Sequence, residues 1–583
     1  MIGDPDRWLR ANRALTAKAL GEWCYEGMLS PVPLGDRRFR VDLDGDISYE
    51  FTADPGAFGW LRVDPDSILR YATGLLGNRG GAPAWDVQRL AVDAAPTIGV
   101  DPTTLAGFLG ELSATLTADA RASDVPVSVL RTLGHAELEG HLNGHPWLVP
   151  NKGRIGFGAT DLRRYAPESR RPLRLRWYAV HRGLATFTAT PGLSEYGIRE
   201  AELGPDTACR FAERMRDAGL DPDAYVWLPV HPWQEDRMLR LGYAGELAQR
   251  RIVPLGDSPD RYLPQQSIRT MSNVTTPGRY DVKLPLSVLN TSVWRGIPPH
   301  CATGAPVLTA WLRGLVADDP VLADTVFLGE VASVTVPHPY LSDVEGVPYR
   351  QLETLGCIWR EPVSVALRDS EHARALSALL HVDGAGRALV TELVTASRLA
   401  PIDWLAALLD TVLRPLVHLL YRYGLTVNPH GQNALVTYGP DEVPDRLLLK
   451  DLVDDLELSD TVVPERAPEP AGIVPRKAPA LIAQHVVDSL LIGHFRYLAP
   501  LCAAQLDVPE PRFWSLVRDT VRAVQRDEPE LASRFAEYEL LGETFPRYRL
   551  NADRLLVTGY ADRPLRHAIG ASGRVPNPLY DNG

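Results

Sequence analysis

Apolar residues change their period several times along the chain, and each change predicts a different kind of element. Between residues 6 and 133 they recur at helical spacing, as in Trp8, Leu9, Leu15 and Leu20 and again across residues 103–116, so a helical N-terminal region is expected. From residue 173 the period becomes two. Leu173, Leu175 and Trp177 alternate with Arg174 and Arg176, and a His-Arg-Gly turn leads to a second strand. Residues 226–230 read as a buried strand, and His231, which precedes a proline, belongs at its exit. Residues 324–336 predict another strand. Helical period returns from about residue 373, most clearly in residues 400–425, where Pro415 predicts a kink. Residues 464–479 are proline-rich and read as an extended linker, and residues 480–583 are chiefly helical. No internal repeat is evident. The fold class is therefore α+β: helical regions at 1–134 and 386–583 around a mainly antiparallel β middle at 135–385.

Two stretches interrupt this pattern with chemistry. In residues 265–298, Ser267 and Arg269 share one face of a strand, and from Tyr280 onward Val282, Leu284, Leu286 and Val288 oppose Lys283 and Ser287. A Thr-Thr-Pro-Gly turn at residues 275–278 folds the two strands together and brings Arg269 near Lys283. Arg269 and Lys283 with the hydroxyls of Ser267, Thr270, Thr291 and Ser292, and with Arg295 close behind in the chain, suit a polyanion, although a solvated strand face with ion pairs would read the same way. The second stretch is a hairpin with strands at 434–438 and 446–450. It places His430, Gln432 and Asn433 at the same end as Asp451. An Asn and an Asp flanking a hairpin parallel the way protein kinases hold Mg2+. A sparse oxygen set is what that ion accepts when phosphates complete its shell. A third, weaker signal is the glycine-rich loop at 144–157, which offers His145, Lys152 and Arg154 without the spacing of a P-loop.

Composition narrows the classes. At 583 residues the chain needs two or three domains, and a net charge of -12 disfavours nucleic acid as a partner. The five cysteines are scattered and never in CxxC spacing, so reduced cytoplasm is the expected compartment. The charged N-terminus lacks the features of a signal peptide. No uncharged apolar run reaches the roughly 18 residues of a membrane span.

In their order, these stretches resemble the IucA/IucC family, the NRPS-independent siderophore synthetases, over most of the chain. GHP at 144–146 with Lys152, Arg154 and Gly156 resembles the family's GHPxHPxxKxRxG. HPWQ at 231–234, SIRT at 267–270, KLPL from Lys283, NTSVWR up to Arg295, HGQN at 430–433 and NPLY at 577–580 are similar to its further motifs. Two positions depart from the pattern. Leu148 replaces the second histidine of the first motif, and Asn428 stands where an acidic residue often precedes HGQN, which shifts the weight of metal binding to Asp451.

The resemblance implies a three-domain, cupped-hand ligase of thumb, fingers and palm, often dimeric. Such enzymes use ATP and Mg2+ to convert a carboxylate, typically of citrate or a citrate or succinate derivative, to an acyl-adenylate. An amine, hydroxylamine or alcohol then takes the acyl group and AMP leaves. On that reading His145, Lys152, Arg154, Ser267, Arg269, Thr270, Lys283, Gln432 and Asn433 bind ATP, and Asp451 with Asn433 holds the metal. Thr291, Ser292, Arg295 and His430 bind the acid. Lys283, Arg295 and His430 lie closest to the chemistry, and His430 is the expected acceptor of a proton from the amine. The residues keep two other readings open. One is a kinase-like phosphotransferase, against which the lack of a GxGxxG loop before Lys283 counts. The other is a non-catalytic nucleotide- or ferric-siderophore-binding protein.

Overall fold

A computed structural model describes residues 4–73, 79–122, 124–291, 293–462, 472–567 and 570–581. Ser292 and most of the proline-rich passage, residues 463–471, lie outside the described residues. The middle of the chain supplies the sheet that carries the site. Six antiparallel strands run in the order Tyr262–Pro264, Thr270–Asn273, Asp281–Lys283, Gly356–Arg360, Glu330–Thr335 and Thr186–Ala189. Thr270 pairs with Lys283 across the turn at 275–278, so the predicted hairpin forms. The backbone N–H of Leu284 donates to the carbonyl of Arg269 at 2.8 Å.

Three sequence expectations are corrected here. Ser267 and Arg269 do not share a strand face, because residues 266–269 form the turn that precedes the strand beginning at Thr270. The alternation from Tyr280 to Val288 is not one strand either. It breaks at Leu284 and Pro285, a residue with no N–H to continue a ladder, and Leu286–Asn290 pairs separately with Val293–Arg295. The predicted strand at 324–336 is two strands in two sheets. Thr325–Phe327 pairs in parallel with Pro444–Leu449, whereas Glu330–Thr335 joins the six-stranded sheet. That change of sheet brings the two chemically marked stretches together.

The hairpin of Ala434–Tyr438 and Pro444–Leu449 forms as expected, with Ala434 opposite Leu449 and the N–H of Lys450 on the carbonyl of Asn433 at 3.1 Å. Behind it the helix Pro401–Tyr423 continues through Pro415 and buries Trp404, Leu408, Val412 and Leu416 in the largest core. This helix and the stretch Pro479–Gln505 are long and apolar, and most of each is buried within the fold.

The N-terminal region is not simply helical. Strands within residues 31–73 and 79–83 form an antiparallel sheet whose Val41, Tyr49, Phe51 and Ala53 share one core with the helices Pro5–Tyr25 and Pro102–Asp119. Its clearest hairpin closes between Leu43 and Ile47 around Asp44, Gly45 and Asp46. An Asp-Gly turn flanked by alternating apolar residues is a hairpin signal; helical periodicity on both sides obscured it.

Candidate active site

The six-stranded sheet, the 434–449 hairpin and the loop at 144–151 enclose a cleft of about 1830 Å3, counted out to its solvent mouth. Of the sequence-predicted residues, His145, Arg154, Ser267, Arg269, Thr291, Arg295, His430, Gln432, Asn433 and Asp451 line it. Three of these, Arg154, Thr291 and Asp451, have φ of 47°, 60° and 62°. Non-glycine residues rarely adopt this left-handed conformation, and it tends to collect at functional sites.

Lys283 stands directly behind the cleft. Its ammonium contacts Asp454 at 2.9 Å, Asp451 at 3.2 Å and Glu330 at 3.2 Å. Burial alone would lower its pKa, but Asp451, Asp454 and Glu330 raise it instead. Arg269 reaches the same Asp454 at 2.7 Å and bonds the Gly296 carbonyl. Arg360 joins Asp451 at 3.2 Å to Asp281 at 2.8 Å. This lattice fixes Asp451 in its unusual backbone conformation and keeps its carboxylate ionised despite burial. Thr270 is buried and shares a 3.3 Å hydroxyl contact with Ser267.

Lys152 and Arg154 depart from expectation. The ammonium of Lys152 is buried beside Asp119 at 2.7 Å and does not line the cleft. Arg154 borders the cleft but spends its guanidinium on Glu168, at 2.5 and 2.7 Å. Burial pushes Glu168 up, but Arg154 brings it down to about 2. Each cation is committed to a carboxylate, so the loop supplies structure before it supplies phosphate contacts.

Arg295 is different. Its guanidinium donates to the carbonyl of Asn290 at 3.1 Å and to the hydroxyl of Thr291. Among the described residues it has no acidic partner, whereas Arg154, Arg269 and Arg566 each have one. Enclosure by the protein, then repulsion from Arg269 and Arg566, lowers its pKa to about 10. It stays charged at neutral pH, and an anion beside it would relieve that strain.

Two histidines face this cation. Nδ1 of His145 accepts the N–H groups of Trp147 and Leu148, both at 3.2 Å, and Nδ1 of His430 accepts the N–H of Gln432 at 3.2 Å. Burial lowers His145 to about 3 and His430 to about 4. Each ring is therefore neutral with its proton on Nε2, a donor. The expectation that His430 takes a proton from the amine does not fit this geometry, because its lone pair is already used.

The cleft residues with oxygen atoms that could hold a divalent ion are Asn433, Asp455 and Asp451. Oδ1 of Asn433 is buried without a partner among the described residues, while its Nδ2 donates to Asp455 at 2.7 Å. The amide of Gln432 also has an Nε2 donor without a partner among the described residues. Asp455, pushed up to about 8 by burial and by Asp454 and Asp451, would regain its charge beside a divalent ion. Among the described residues no group of three or more His, Cys, Asp or Glu is arranged to hold a metal ion. An ion here would need oxygen atoms from its ligand, as Mg2+ commonly does.

Residues 134–381 match the family model described as the IucA / IucC family, and residues 402–563 match one described as a ferric iron reductase FhuF-like transporter. The chain is 38% identical to the rhizobactin siderophore biosynthesis protein RhbF of Rhizobium meliloti, covering 98% of this chain and 96% of that protein. The chain belongs to the IucA/IucC family of NRPS-independent siderophore synthetases. Aerobactin synthase of Escherichia coli is 33% identical over 94% of each chain. The solved aerobactin synthetase IucC of Klebsiella pneumoniae superposes with a TM-score of 0.86 at 30% identity, covering 99% of both chains. The α+β synthetase architecture is thus shared along the whole length.

Against the family motifs, the two departures have visible consequences. Leu148 is buried, and its carbonyl, with that of His145, accepts the ammonium of Lys18 at 2.7 and 2.9 Å. Asn428 uses its amide to link Asp455, at 3.4 Å, to the hydroxyl of Ser489. The sequence reading assigned no role to Asp454, Asp455, Arg360 or Arg566. The first two had a signal: Asp451, Asp454 and Asp455 are spaced three and four apart, so one helical turn gathers them. Arg566 had none, being brought to the cleft from 271 positions beyond Arg295.

Proposed function

We propose that this synthetase uses ATP to adenylate a carboxyl group of citrate or a related di- or tricarboxylic acid and passes the acyl group to an amine, hydroxylamine or alcohol. The observation that carries the reading is Arg295, the cleft guanidinium with no acidic partner among the described residues. Its planar fork matches a carboxylate, and the Nε2–H groups of His145 and His430 are the neighbouring donors, while Thr291, whose hydroxyl donates to the carbonyl of Asn290 at 2.6 Å and accepts from Arg295, orients the guanidinium.

The chemistry brings two anions together. A carboxylate oxygen attacks the α-phosphorus, the bond to the β-phosphate oxygen breaks, and pyrophosphate leaves. The nucleophile then attacks the acyl carbon, and AMP departs with the electron pair of the broken C–O bond. Pre-set donors and cations favour such steps where charge collects, and alignment alone can contribute roughly 7 to 11 kcal/mol in favourable cases. Gln432, whose Nε2 has no partner among the described residues, would donate to a phosphate oxygen, and Arg269, paired with Asp454, would add positive charge beside it. Asn433, Asp455 and Asp451 are the residues that would hold Mg2+, which supplies charge neutralisation on the phosphates. Lys283 acts from behind, positioning Asp451 and Asp454. The relatives named for rhizobactin and aerobactin support a siderophore product, and the five free cysteines fit the cytoplasm, where ATP is made.

A panel of carboxylic acids in ATP–pyrophosphate exchange, with hydroxylamine as trap, tests the reading. One or a few di- or tricarboxylic acids should support exchange and yield a hydroxamate. ADP release without exchange would contradict it.

A further inference from the structure

Four carboxyl groups line the cleft. Asp451 and Asp454 are ion-paired with Lys283, and Asp455 takes amide donors from Asn433 and Asn428. Asp488 stands apart from these. Its side chain accepts one hydrogen bond, from Nε2 of Gln484 at 2.6 Å, and among the described residues no cation pairs with it.

Local backbone geometry puts it there. Asp488 lies in a nine-residue π-helical stretch, Val487–Phe495, in the middle of a longer helix. Such wide turns are uncommon and recur at functional sites. Gly493 makes the turn possible, since a Cβ there would lie 2.7 Å from the carbonyl oxygen of Asp488. The wide turn turns two consecutive side chains, Asp488 and Ser489, to the cleft. Ser489 joins Asn428 and through it Asp455. Gln484 also approaches the carbonyl of Pro546 at 3.5 Å, tying this turn to the strand Thr544–Tyr548. Tyr548 borders the same cleft, with its hydroxyl pushed up to about 12 by burial and by Asp488.

The cleft is thus asymmetric in charge. Among the described residues that line it, Arg295 is a cation with no acidic partner and Asp488 a carboxyl group with no cation beside it. We infer that Asp488, with Tyr548 on the same stretch of wall, receives an ammonium group of the amine substrate other than the nitrogen that attacks, so that the synthetase selects alkylamines carrying a second, cationic nitrogen. This inference rests on the ligase reading above. Burial holds the Asp488 carboxyl well above the usual carboxylate range. An ammonium beside it favours the ionised form, and a neutral nucleophile does not. The tyrosine ring adds a face that attracts the same cation.

The test compares two nucleophiles for one acyl-adenylate: hydroxylamine, which is largely neutral at pH 7.5, and a cationic diamine, 1,3-diaminopropane or 1,4-diaminobutane. Asp488→Asn should lower kcat/KM for the diamine by at least about tenfold more than for hydroxylamine, the size expected for one lost bond to a charged group. Asp488→Glu should recover part of the loss. In the unaltered protein, tetramethylammonium chloride should compete with the diamine and not with hydroxylamine, a readout that does not depend on any variant folding. Equal losses for both nucleophiles, no loss for either, failure of the protein to use a diamine while hydroxylamine traps well, or no competition by tetramethylammonium would each overturn the assignment. Absence of any acid-dependent exchange in the unaltered protein would instead remove the ligase reading beneath it.

Discussion

At the scale of single residues, the site separates groups that touch ligand from groups that hold them in place. Lys283 touches three carboxylates and does not border the cleft. Its removal should act through Asp451 and Asp454: Lys283→Ala is expected to raise the KM for ATP, or to abolish exchange, and to lower thermal stability, measured by exchange kinetics and melting. His430 makes a prediction of a different kind. With its pKa lowered to about 4, it is already neutral at pH 6, so the exchange rate should show no histidine-like step between about pH 6 and 8, where an unperturbed imidazole titrates. A step in the wild-type profile that disappears in His430→Gln would show that the ring does titrate there. That His430, Gln432, Asn433 and Asp451 come together in the cleft was legible from the hairpin, and Arg295 was singled out by its motif. The roles of Lys152 and Arg154 were not legible, since both depend on acids, Asp119 and Glu168, that no local pattern couples to that loop.

At the scale of elements, the decisive feature is the change of sheet between Phe327 and Glu330. The strand Asp281–Lys283 and the hairpin that ends at Asp451 belong to different sheets, and Arg360 spans them through Asp281 and Asp451. Removing one member of a buried ion network leaves the rest uncompensated, typically at a cost of about 3–5 kcal/mol. Arg360→Met should therefore lower the unfolding free energy by about that amount in denaturant titration. A change near zero would mean that the network does not join the sheets energetically. Hairpin positions could be read from period and turn residues. Sheet membership could not, because strand pairing is set by partners distant in sequence, and two short strands in succession look like one longer one.

At the scale of the whole molecule, the two ends of the chain close on the cleft. Glu26, on the turn after the first helix, accepts the indole N–H of Trp147 at 2.9 Å and the backbone N–H groups of Asn551 and Ala552 at 3.0 and 2.7 Å. It thereby fixes the loop that carries His145 between the N- and C-terminal regions. Burial raises Glu26 to about 7, with the hydrogen bonds from Asn551 and Ala552 opposing. A carboxyl whose folded pKa lies above its unfolded value, about 4.3, contributes stability below that value and loses it as pH rises through the folded one. The melting temperature of the wild type should accordingly fall relative to that of Glu26→Gln between about pH 4.3 and 7. A constant difference across that range would show that Glu26 does not titrate with folding. The family's α+β organisation could be anticipated from motif order. This closure could not, since it depends on contacts between residues more than five hundred positions apart.

The central claim is that Arg295 receives the acid. The most direct measurement is acid-dependent ATP–pyrophosphate exchange by Arg295→Ala, with ATP binding followed separately by calorimetry. Exchange should fall by at least about a hundredfold, the scale set by removing one pre-placed donor from a reacting centre, while ATP still binds. Exchange at the wild-type rate and with an unchanged KM for the acid would contradict the account.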